Sequence, residues 1–146
     1  MKKALQYHNC FVCGKESKNG LKVDFEITET GARACYMPKK EFEGFCGVAH
    51  GGILCALLDE IMWKAINGQT GAVTMTAKME IRFKRPAPIG KNLTVEGFVV
   101  GRKRTFFEAK GVISDNNGSV LAEATGLFME MDADASAQLS KSLSYK

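Results

Sequence analysis

The sequence predicts an α+β domain in which one helix packs against a long, mostly antiparallel sheet. Three observations point there. A single stretch after Gly51-Gly52 repeats apolar residues at helical spacing, period-two stretches lie on both sides of it, and strong turn signals separate them. The chain of 146 residues, 45% hydrophobic and 25% charged, is large enough for one core and excludes a disordered or collagen-like polymer.

In chain order, Leu21, Val23, Phe25 and Ile27 alternate with Lys22, Asp24, Glu26 and Thr28, as in a half-buried strand. Thr30-Gly31 marks a turn, and a shorter strand over 32–37 ends at Pro38, which has no N–H for a ladder. Residues 39–50 form a loop containing Gly44 and Gly47. The helix carries Ile53, Leu54, Leu57, Leu58, Ile61, Met62 and Ala65, and Asn67-Gly68 supplies its stop. In the next strand Val73, Met75, Ala77, Met79, Ile81 and Phe83 share one face and Thr74, Thr76, Lys78, Glu80, Arg82 and Lys84 the other, before Pro86 and Pro88. Strands near 93–100 and 105–114 flank a basic turn, Gly101-Arg102-Lys103-Arg104. Asn117-Gly118 marks a hairpin, because both residues tolerate positive φ. The last strand, near 120–131, places the small residues Ala122, Ala124 and Gly126 where a helix can approach closely. The tail from Asp132 is small and polar and reads as frayed or weakly helical. The division is an N-terminal segment 1–19, a domain 20–131 and a tail 132–146.

The net charge of +4 and pI near 8.8 suit an anionic small molecule, with neither nucleic acid nor a membrane as partner. No apolar run approaches the ~20 residues of a bilayer span. The start has two lysines but no apolar secretory core, so a cytoplasmic location is the expectation. Five cysteines, at 10, 13, 35, 46 and 55, then read as reduced thiols.

The helix is apolar around most of its circumference, which implies burial on nearly every side. Its charges are Asp59, Glu60 and Lys64. Glu60 and Lys64, at i and i+4, form a surface-type ion pair. Asp59 has Cys55, Ala56, Met62 and Trp63 as helical neighbours. A carboxylate there either takes donors from another segment, as a structural group, or has its pKa raised, as functional carboxylates do. At the helix start, His50-Gly51-Gly52 is either a simple glycine turn or an opening to unpaired N–H groups where a ligand oxygen can bind. Gly51 and Asp59 stand eight residues apart, or ~12 Å along a helix axis. A site using both must pair the helix start of one subunit with the aspartate of another.

The run from His50 to Asp59 resembles the helix of hotdog-fold acyl-CoA thioesterases, in particular the phenylacetate-pathway group of the 4-hydroxybenzoyl-CoA thioesterase superfamily. Residues 74–86, the turn 101–104, the ending Leu121-Ala122-Glu123-Ala124-Thr125-Gly126, and the opening Asn9-Cys10-Phe11-Val12-Cys13-Gly14 with Asn19-Gly20-Leu21 are similar as well. The resemblance implies a hotdog fold, with the sheet wrapped around one central helix, and hydrolysis of an acyl-CoA, with Asp59 as base or nucleophile and the Gly51 N–H polarising the thioester carbonyl. It implies that His50 shapes the site and that the Thr76 hydroxyl positions water. Gly44-Phe45 stands where some members carry an asparagine or glutamine, and Thr76 falls on the polar strand face, away from the helix. Gly52 and the basic residues Arg102, Lys103 and Arg104 are the candidate substrate contacts, the latter three for coenzyme A phosphates. No cofactor or metal is expected beyond coenzyme A as part of the substrate, and the assembly is a homodimer or dimer of dimers. A non-catalytic acyl-CoA-binding protein and a hotdog dehydratase are the alternative readings.

Cys10-x-x-Cys13 with His8 offers half of a zinc site, but Cys35, Cys46 and Cys55 stand singly and no βαβ pattern follows for a redox pair. A packed N-terminal turn is the expectation. Cys55 reads as core, and no Gly-x-Ser-x-Gly elbow supports a serine triad.

Overall fold

The computed structural model describes residues 2–143. Its centre is α1 (Gly51–Thr70), with Leu57, Leu58, Ile61, Met62, Ala65 and Ile66 fully buried, as an all-round apolar helix requires. Around it runs one antiparallel sheet of β1 (Lys2–Lys3), β2 (Glu26–Ile27), β3 (Gly31–Tyr36), β4 (Thr74–Phe83), β5 (Leu93–Lys103), β6 (Phe106–Ser114) and β7 (Val120–Glu130), in the order β1-β2-β3-β5-β6-β7-β4. The expected architecture is present.

Small residues decide how deep the helix sits. Gly97 of β5 and Gly111 of β6 are directly paired and form a trough under α1. A Cβ on Gly97 would lie 2.6 Å from the Ile61 carbonyl oxygen, and one on Gly111 would lie 3.1 Å from Leu58 Cδ2. Ala122, Ala124 and Gly126 of β7 are buried on the same side, as their alternation predicts.

Three boundaries and the phase of one strand differ from the sequence reading. The helix passes Asn67-Gly68 and ends at Thr70, capped by Gly71 at φ +76°, whose N–H donates to the Asn67 carbonyl. Gly68 is not a stop but a contact, since a Cβ there would lie 2.4 Å from Ile27 Cδ1. Leu21, Val23 and Phe25 are buried in alternation, but only Glu26–Ile27 is a ladder strand. The stretch before it bonds to the N-terminal loop, Leu21 N–H to Phe11 O and Val23 N–H to Val12 O. Arg102 and Lys103 belong to β5, so the turn itself is Arg104-Thr105, with Arg104 at φ +58°.

The fourth difference re-aims a side chain. β4 carries a bulge between Thr76 and Lys78 where it pairs with β7. Before the bulge Thr76 stands opposite Phe128, which is fully buried; after it Ile81 stands opposite buried Ala124. The extra residue Ala77 shifts the phase by one, so Thr74 and Thr76 face the helix and Met75 turns outward. The expected single apolar face of this strand is therefore two half-faces.

The tail forms α2 (Ala133–Ser140), capped by Asp132 and burying no residue. No helix of the described residues is long and apolar enough to cross a membrane.

Gly97→Ala forces its new Cβ against backbone that cannot yield as a side chain would. The expected loss is ~1–3 kcal/mol of unfolding free energy in urea, and an unchanged midpoint would refute the trough.

Candidate active site

The bulge completes a contact that α1 alone cannot make. Asp59 projects from the helix among Cys55, Ala56, Met62 and Trp63, and the Thr76 hydroxyl donates to its Oδ1 at 2.6 Å. Burial pushes the Asp59 carboxyl above the ordinary carboxylate range, the Thr76 bond pulls it part of the way down, and the negative charge of Glu60 raises it further.

Asp59 lines a mostly apolar cavity of about 340 Å³ together with Tyr7, Trp63, Val73, Met75 and Leu139. Trp63 is fixed at this wall by its indole N–H, which donates to Thr74 O at 2.8 Å. The Thr74 hydroxyl is buried beside it without a hydrogen-bond partner among the described residues. Neither Trp63 nor Thr74 stood out in the sequence. Both read as ordinary members of periodic stretches, and only the bulge and the long-range packing give them a common wall.

At the helix start, the exposed His50 caps α1, its Nδ1 accepting the Gly52 N–H at 2.8 Å. A Cβ on Gly52 would crowd that nitrogen at 3.0 Å. The Gly51 N–H has no acceptor among the described residues, and the Phe83 ring borders the space beside Gly51. So the chain brings His50, Gly51 and Gly52 together, and separately Asp59 and Thr76, with two turns of helix between the groups.

The basic residues lie farther away. Arg102, Phe107, Phe128 and Thr76 are opposite one another across β5, β6, β7 and β4. Three strand spacings put Arg102 ~14 Å from Thr76. Arg102 is engaged within the chain: it pairs with Glu130 and its guanidinium stacks 4.6 Å from the Phe107 ring centroid. Lys103 and Arg104 are exposed, and they have no ion-pair partner among the described residues.

Glu60 and Lys64 overturn the surface-pair expectation. Lys64 is only 2% exposed and Glu60 17%, with Nζ and Oε1 3.0 Å apart. The ammonium also donates to the Leu5 carbonyl oxygen and lies 3.5 Å from Cys13 Sγ, between the Trp63 and Phe25 rings. The i,i+4 spacing is the expected one, but residues 4–25 cover this helix face and remove it from water. Removing one partner strands a buried charge. Glu60→Gln is expected to cost roughly 3–5 kcal/mol of stability, whereas Lys84→Ala, which breaks an exposed pair with Glu123, should cost about 1 kcal/mol or less. Equal losses in chemical denaturation would contradict this placement.

A family model described as the thioesterase superfamily matches residues 46–122, just over half of the chain. The Bos taurus protein named Acyl-coenzyme A thioesterase THEM4 is 33% identical over 97 residues, which cover 64% of this chain and 38% of that protein. The crystal structure of the thioesterase superfamily protein RHA08564 superposes with a TM-score of 0.78 at 27% identity, covering 84% of this chain and 60% of that one. The protein smu.793 from Streptococcus mutans, solved bound to acetyl-CoA, shares the fold at a TM-score of 0.69 and 22% identity, over 75% of this chain and 88% of that one. The chain thus spans well under half the length of its bovine relative.

Proposed function

This chain belongs to the thioesterase superfamily and has its hotdog fold, and we propose that it hydrolyses an acyl-coenzyme A thioester to the free acid and coenzyme A. The observation that carries this reading is the Asp59 carboxylate, held by the Thr76 hydroxyl at the wall of an apolar cavity. An acyl group in that cavity would present its thioester carbon near Asp59. The carboxylate then either takes a proton from water attacking that carbon or attacks it directly. The bovine relative's name and the acetyl-CoA bound to the S. mutans protein support this substrate class.

The carbonyl oxygen needs donors as its charge grows. In this reading the free Gly51 N–H supplies one, with the positive end of the α1 dipole behind it, while His50 holds the turn and takes up the Gly52 N–H. Because the helix rise separates Gly51 from Asp59 within one chain, the reading requires a homodimer, alone or as a dimer of dimers. β4 offers the surface: it is the last strand of the sheet, unpaired on its outer side among the described residues, with Met75 55% and Phe83 53% exposed. Lys103 and Arg104 are free to meet phosphate oxygens, more so than Arg102.

Thiol release across short, long and aromatic acyl-CoAs tests the activity. Binding without turnover would mean a carrier, and hydration of an enoyl-CoA would mean a dehydratase. Asp59→Asn should keep the fold and lower the rate by roughly 10²–10⁴-fold. Because the Asp59 pKa is raised, its ionised form is present only above that raised value. The acid limb of kcat/KM should therefore fall off above the ordinary carboxylate pKa of about 4. Thr76→Val removes a bond that lowers the pKa and should move that limb to higher pH. A limb unmoved by Thr76→Val would separate Thr76 from the titrating group. The sign for stability follows: a carboxyl with a raised folded pKa costs stability once ionised. Asp59→Asn should thus match or exceed the parent protein's stability at neutral pH, with the gap closing at low pH.

Subunit mixing tests the shared site. A variant lacking the Asp59 carboxylate and one bearing Gly51→Leu should each be inactive. A mixed dimer gathers both lesions in one site and leaves the other intact, so activity should recover toward half per mixed dimer. No recovery, with subunit exchange demonstrated by mass, would reject the two-subunit geometry.

A further inference from the structure

We propose that Cys10 and Cys13 are a thiol–disulfide exchange site opening on the cavity beside Asp59, with Cys10 as the attacking thiolate and Cys13 as the resolving thiol. Both residues line that cavity, Cys10 half-buried and Cys13 fully buried. The proposal does not depend on the hydrolytic reading.

The local backbone shapes the pair. The Gly14 N–H closes a turn onto the Cys10 carbonyl at 2.9 Å, and a Cβ on Gly14 would lie 2.5 Å from Cys10 N and from His8 O. A tight turn holds residues i and i+3 within ~7 Å, the outer limit of disulfide reach. Inside it the Val12 and Cys13 N–H groups approach Cys10 Sγ at 3.3 and 3.4 Å. Two N–H groups aimed at one sulfur stabilise its anion as they would an oxyanion. Cys10 Sγ, Cys13 Sγ and a Glu60 carboxylate oxygen all lie within 4.8 Å of one another.

The charged groups facing the pair come from α1. Glu60 disfavours a thiolate, and the Lys64 ammonium, 3.5 Å from Cys13 Sγ, favours one. The hydrogen bond from the Cys13 thiol and the backbone donors outweigh burial and Glu60, lowering the Cys10 pKa to about 6. The same bond, with burial, raises that of Cys13. The two backbone N–H groups converge on Cys10 Sγ alone, which marks it as the attacking sulfur and leaves the buried Cys13 to resolve.

The three donor atoms also have the composition of a metal site, but a cation already occupies the cluster. Lys64 bonds Glu60, the Leu5 carbonyl and the Cys13 sulfur, and a divalent ion would have to displace it.

The chemistry with a small disulfide RSSR balances. Cys10 S⁻ attacks one sulfur, forming the Cys10–S–S–R bond and releasing RS⁻. The released RS⁻ takes up the Cys13 proton, and the Cys13 sulfur attacks the Cys10 sulfur, breaking the mixed disulfide and releasing a second RS⁻. Two protein thiols are oxidised to one disulfide, and RSSR is reduced to two RSH after proton uptake.

The test uses the reduced full-length protein with oxidised glutathione, read by intact mass and peptide mapping. A two-hydrogen mass loss mapped to a Cys10–Cys13 disulfide is expected, with Cys35 and Cys46, both exposed, left largely as thiols. Cys13→Ser should stop at one glutathione adduct on Cys10. At pH 6 Cys10 should be alkylated about tenfold faster than an ordinary thiol, after the lower intrinsic nucleophilicity of an acidic thiolate is included. Reaction at Cys35 and Cys46 before Cys10 would overturn the proposal, and so would stoichiometric zinc binding that protects both thiols. The unmodified chain gives both readouts, so a variant that misfolds leaves the proposal testable.

Discussion

A helix enclosed on nearly all sides sets the terms for every polar group it carries. α1 sinks into its sheet because Gly97 and Gly111 offer no Cβ, and the Ile61 carbonyl occupies the space a side chain would take. A charge on such a helix has little water around it and needs partners close by. Beyond Glu60 on its own helix, Lys64 finds the Leu5 carbonyl, and Asp59 finds the Thr76 hydroxyl. These partners come from opposite ends of the fold, the N-terminal segment and the edge strand β4. The enclosed helix thereby specifies how both must dock.

Adjacent carboxylates on that helix have opposite environments. Glu60 sits within salt-bridge distance of an ammonium, and its charge is compensated in place. Asp59 meets one hydroxyl and an apolar wall, and burial outweighs that hydroxyl, so its charged form is disfavoured. A compensated carboxylate is held as structure. An under-compensated one at a cavity wall keeps its proton affinity available for chemistry.

Much of this was legible in the sequence. The apolar circumference of α1 predicts its enclosure, and Asp59 stands out because none of its helical neighbours explains it. The alternation at Leu21, Val23 and Phe25 gives the right buried face even where no ladder forms, because burial follows side-chain direction and not strand pairing. Strict alternation failed at β4, since one extra residue at Ala77 inverts the faces downstream and leaves no mark in composition. The i,i+4 spacing located the Glu60–Lys64 pair but could not show that residues 4–25 cover it. A pattern of spacing reports which side chains meet on a helix and is silent on what lies above them.

That cover joins two chemistries. The N-terminal segment supplies the Leu5 carbonyl that anchors Lys64 and the turn that carries Cys10 and Cys13. The same docking therefore fixes the thiols one residue along the helix from the Asp59 carboxylate. Glu60 lies between them, and its charge raises the proton affinity of both Asp59 and Cys10. Lys64 acts as counterweight: its ammonium neutralises Glu60 and also faces the Cys13 sulfur. Whatever alters the charge of this pair acts on the carboxylate and the thiols together, because one cavity wall holds them in a medium that screens poorly.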